Sequence, residues 1–80
     1  MDLLLAIQKY CDKLIEYGFY PHRRPSVDKL ERMADLCVVG KFRKLSRYVP
    51  KEATDEQKAE LDELMNNIKE IVENEKKQIN

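Results

Sequence analysis

Residues 54–72 read TDEQKAELDELMNNIKEIV, and the fold class turns on this stretch. Thr54 and Gln57 have the Thr-x-x-Gln spacing of a capping box, in which each side chain satisfies a backbone N–H at the start of a helix. Behind that start, Leu61, Leu64, Met65, Ile68, Ile71 and Val72 return every three or four residues, and Ile79 follows after a gap. Such a stripe is the apolar face of a helix; a half-buried strand would alternate instead. Asp55 and Glu56 stand in the first turn, where the helix dipole favours negative charge. A helix over about 55–78 is expected.

Working back along the chain, Leu3, Leu4, Ile7, Tyr10, Cys11, Leu14 and Ile15 show the same period, with Lys9, Asp12, Lys13 and Glu16 between them. The spacing predicts a helix over about 2–17, closed by Gly18, because glycine enters the left-handed conformation without a Cβ clash. Pro21 and Pro25 remove backbone donors and make the next stretch a loop. Ser26 then serves as N-cap to Val27, Leu30, Met33, Ala34, Cys37 and Val38, a helix over about 27–39. Gly40 interrupts it. Phe42, Leu45 and Val49 face inward from a short helix at about 41–48, which Pro50 stops. The fold class is therefore all-α: a small bundle of three main helices plus a short one, in a single domain covering 1–80.

With 80 residues, two glycines and no tryptophan, the chain has room for one core. A domain of this size buries only about 60% of the surface its unfolded chain exposes, which disfavours an enclosed active-site cavity and a small-molecule substrate. The last helix would be about 36 Å long against about 24 Å for the first. That mismatch leaves apolar side chains near its end without a partner in the chain. Ile68, Ile71, Val72 and Ile79 are the residues assigned to a partner-binding surface on this argument. The leading functional reading is a non-enzymatic interaction module that binds a protein partner or self-associates, as a small regulator or inhibitor.

Charge supplies the alternative. Fifteen basic and fifteen acidic side chains cancel overall, but residues 21–51 hold nine basic and three acidic groups, while 52–80 hold four and nine. Zero net charge thus conceals a dipolar molecule. Arg23 and Arg24 lie in the proline-bounded loop, and Lys41, Arg43, Lys44 and Arg47 lie on the short helix. With Tyr48 and Tyr20 as stacking surfaces, these six residues outline a site for a phosphate backbone, and nucleic-acid binding is the second reading. Helix, glycine and basic helix also have the outline of a DNA-reading helical pair, although Ala34 and Gly40 stand six residues apart where that motif wants four. Against both stands the plainer expectation that the acidic last helix neutralises the basic segment within the fold.

No catalytic residue, metal or cofactor is assigned. His22 is the single histidine, and its neighbours are Pro21 and Arg23. Cys11 and Cys37 fall on apolar stripes, where a free thiol acts as a small hydrophobe, and they lack metal-ligand spacing. The basic residues before Ser26 and Ser46 fit a basophilic kinase, but the N-cap role already accounts for Ser26. The longest unbroken apolar run, Leu3 to Ile7, spans five residues, so neither a membrane span nor a signal peptide is expected and the location read from the sequence is cytoplasmic.

Overall fold

The structure is a computed structural model that describes residues 3–21 and 23–79, with side chains up to residue 76. Four helices follow in the order α1 (Leu3–Glu16), α2 (Val27–Val38), α3 (Arg43–Ser46) and α4 (Asp55–Ile79). No strand occurs among the described residues. The all-α bundle expected from the period-3.6 stripes forms, with α3 shorter than expected. Only 43–46 is α-helical, because i→i+3 bonds take over on both sides: Leu45 N–H to the Phe42 carbonyl at 3.0 Å, and Val49 N–H to that of Ser46 at 3.0 Å.

The helix ends follow from their capping residues. Gly18 and Gly40 have φ of +76° and +86°, and each closes its helix by the same pair of bonds. Phe19 N–H reaches the Leu14 carbonyl at 2.8 Å and Gly18 N–H that of Ile15 at 3.0 Å. After α2, Lys41 N–H reaches Leu36 at 2.9 Å and Gly40 N–H reaches Cys37 at 2.9 Å. Ser26 Oγ accepts from Lys29 N–H. The capping box is complete, with Thr54 N–H donating to Gln57 Oε1 at 3.0 Å and Gln57 N–H to Thr54 Oγ1 at 3.1 Å. A cap of this kind contributes about 1 kcal/mol, a useful share for a domain this small.

One core joins all four helices. Leu3, Ile7, Tyr10, Cys11 and Leu14 of α1 meet Leu30, Met33 and Cys37 of α2, Leu45 of α3, and Leu61, Met65, Ile68, Ile71 and Val72 of α4. Both cysteines are free and buried, and Cys11 Sγ lies 3.9 Å from Met33 Sδ. Burial pushes Cys11 and Cys37 up to about 11 from the ordinary 9.0 and, with Asp62 and Cys11 adding to it, raises Tyr10 to about 12 from 10.0. These groups are neutral packing elements.

The assignment of Ile68, Ile71 and Val72 to a free surface is corrected by their burial: they are 0%, 5% and 3% exposed inside the core of the single chain. The register between α1 and α4 explains why. Lys13 Nζ lies 2.9 Å from Glu60 Oε1, the Tyr17 hydroxyl donates to Glu60 Oε2, and Tyr10, further back on α1, senses Asp62, so the two helices run antiparallel. Continuing one residue up α4 for each residue back along α1 brings Leu3 level with Ile71 and Val72. The extra length of α4 therefore falls mostly past Val72, over 73–79, while Ile71 and Val72 themselves still lie level with the start of α1 and belong to the core. Ile79 closes α4, but its side chain lies outside the described residues, as does all of His22.

Candidate functional site

Gly40 sets the site geometry. Its left-handed turn sends the chain back so that α3 packs on α2, and the cationic faces of the two helices come to line a shared cleft. Lys29 and Arg32 stand three residues apart on α2, which places them on one face, and Lys44 and Arg47 stand in the same relation on α3. Together with Ser26, Asp28, Met33, Leu36 and Tyr48 they line an open cleft of about 590 Å³. Lys44 and Arg47 also border a second concavity of about 500 Å³, completed by Gly40, Lys41 and Arg43. They thus form a basic ridge between two hollows, and Asp28 is the one carboxylate in either lining.

Aromatic contacts brace this ridge. The Arg47 guanidinium carbon lies 5.1 Å from the centre of the Tyr48 ring, and its Nη2 is 3.4 Å from the Tyr48 hydroxyl. Tyr48 in turn meets Tyr20 edge-on at 4.8 Å, and Lys29 Nζ sits 5.7 Å from the centre of the Tyr20 ring. Such contacts hold a cation in position without removing its charge. Tyr48 remains half-exposed; Tyr20 is buried at 6%, which corrects the expectation that it offers a stacking surface.

No carboxylate among the described residues lies within ion-pairing distance of the cations of the ridge. Among the described residues, ion pairs join Lys13 to Glu16 and Glu60, and Arg24 to Asp12; none includes Lys29, Arg32, Lys41, Arg43, Lys44 or Arg47. The acidic helix packs against α1 and α2, and near the start of α3 it presents Lys69, 5.4 Å from the centre of the Phe42 ring. The neutralised-face expectation thus finds no ion pair to support it. The cations that line the two hollows repel one another, tempered in the first by Asp28.

The two loop arginines separate from this group. Arg24 grips Asp12 with both arms of its fork, Nε to Oδ1 at 3.1 Å and Nη2 to Oδ2 at 3.2 Å, so it fastens the loop to α1. It thus lies apart from the two hollows and lines neither. Arg23 is exposed and lines neither cleft. Lys29 and Arg32 were missed because along the sequence they are interleaved with Asp28, Glu31 and Asp35 and resemble an ordinary solvated face. Their three-residue spacing was a signal, but only the turn at Gly40 brings it opposite Lys44 and Arg47.

Among the described residues no helix is long and apolar enough to cross a membrane, and no group of three or more His, Cys, Asp or Glu side chains is gathered for a metal. No family model matches the chain, and no curated protein or solved structure matches it either.

Proposed function

We propose that the chain is a non-enzymatic binding module whose α2–α3 face holds the phosphate backbone of a nucleic acid. The observation that supports this reading is the cluster Lys29, Arg32, Lys41, Arg43, Lys44 and Arg47, which has no carboxylate within ion-pairing distance among the described residues. Docking of a protein partner or a second copy on the apolar stripe of α4 loses its support, since Ile68, Ile71 and Val72 are covered within the chain. Recognition by α3 in a major groove is also disfavoured, because a helix of four residues extends only about 6 Å. Binding is thus through phosphates, and base sequence has little influence on it.

Anisotropy titrations of labelled oligonucleotides across a series of salt concentrations test the proposal. Four to six phosphate contacts give a slope of log affinity against log salt of about −4 to −5 on a duplex and about −3 to −4 on a single strand. Absence of binding at low salt would retire it.

A further inference from the structure

The cleft between α2 and α3 includes an apolar part of its lining that phosphate binding does not require. Leu36, half-exposed and outside the core cluster, lines it with Met33 and the half-exposed Tyr48 ring, and Lys29, Arg32, Lys44 and Arg47 share the lining with one carboxylate, Asp28. A lining that joins cations to an apolar patch matches a ligand that is anionic on one side and flat and apolar on the other. A nucleotide with its base unpaired has that character, and a cleft of about 590 Å³ falls within the usual range for small-ligand sites. A duplex keeps its bases stacked and paired, so it reaches the cations and leaves the apolar part of the lining bare.

We infer that this cleft is a subsite for one unpaired base of a single strand, seated against Leu36 and Tyr48 while the flanking phosphates meet Lys44 and Arg47. The inference rests on the phosphate-backbone reading and adds that the natural ligand is single-stranded. Base–aromatic and base–apolar contact of this kind is tolerant of base identity, because every base has an apolar face.

The test compares three probes of equal length, about twelve nucleotides, at one low salt concentration: oligothymidylate, an abasic strand with the same phosphates, and a duplex. Oligothymidylate is expected to bind about 10-fold more tightly than the abasic strand. Leu36→Gln, which alters the apolar lining at a position outside the core cluster, brings oligothymidylate down towards the abasic value, and circular dichroism verifies that the variant is folded. Equal affinities for oligothymidylate and the abasic strand overturn the base subsite while leaving the backbone reading intact. Tighter binding of the duplex does the same. Failure of all three probes to bind overturns both readings.

Discussion

Ile68→Asp is expected to leave the chain without a cooperative unfolding transition. Ile68 is 0% exposed and occupies the middle of the α4 stripe, between Met65 and Ile71. Truncating such a side chain to alanine costs about 2–5 kcal/mol, from lost transfer energy and the cavity left behind. Aspartate adds the penalty of placing a carboxylate among apolar neighbours that offer no partner. The whole domain, at roughly 0.05–0.15 kcal/mol per residue, is stable by only about 4–12 kcal/mol. The milder Ile68→Ala should still fold but melt roughly 8–40 °C lower, given about 4–8 °C for each kcal/mol in a domain of this size. Thermal melts by circular dichroism measure both. If Ile68→Asp melts like the parent protein, Ile68 lies outside the core and the register between α1 and α4 is wrong.

The second large effect is on binding. Reversing the ridge with Lys44→Glu and Arg47→Glu together should lower affinity for oligonucleotides on the order of 100-fold at low salt, since two attractive contacts become repulsive ones. The fold should tolerate the change. Both side chains are exposed and outside any ion pair among the described residues, and two glutamates relieve repulsion from Arg43 and Lys41. A stability change within about 0.5 kcal/mol is expected, as for surface substitutions elsewhere. Undiminished affinity would move the site off the ridge, whereas a loss of several kcal/mol in stability would mean that carboxylates of α4 neutralise these cations after all.

What could be read in the sequence and what could not divide along a physical boundary. Thr54 with Gln57, Ser26 with Lys29, and Gly18 and Gly40 act within a few residues, so their spacing alone predicts the helix ends that form. The period of each stripe likewise identifies Ile7, Leu14, Leu61 and Met65 as inward-facing. Pairing between helices is a different matter. Helix lengths suggested that the apolar residues of α4 run out of partners at Ile71, but the pairing of Glu60 with Lys13 and Tyr17 carries α1 level with Ile71 and Val72, and no local pattern encodes that register. The site shows the same division. Lys41, Arg43, Lys44 and Arg47 form a visible run, while Lys29 and Arg32 join them only through the turn at Gly40. Arg24 leaves because Asp12, twelve residues earlier, offers a matching fork.

The neutral groups sealed into the core give the protein an asymmetric response to pH. Tyr10, Cys11 and Cys37 each ionise less readily when folded than in an unfolded chain, with values of about 12, 11 and 11 against 10.0, 9.0 and 9.0. A folded-state value above the unfolded one means that the contribution is complete below the unfolded value and drains away as pH climbs towards the folded one. Stability is therefore lost from about pH 9 upward, first through the two thiols and then through the tyrosine. On the acid side the corresponding group is Glu60, which the Lys13 ammonium and the Tyr17 hydroxyl hold below the usual carboxylate range. Its contribution is lost as pH falls through that lowered value, but the pair lies at the surface, where such contacts weigh little. Base rather than acid is thus the condition under which the buried sulfurs first become reactive, and their alkylation rate as pH is raised through 9 to 11 reports the opening of the core.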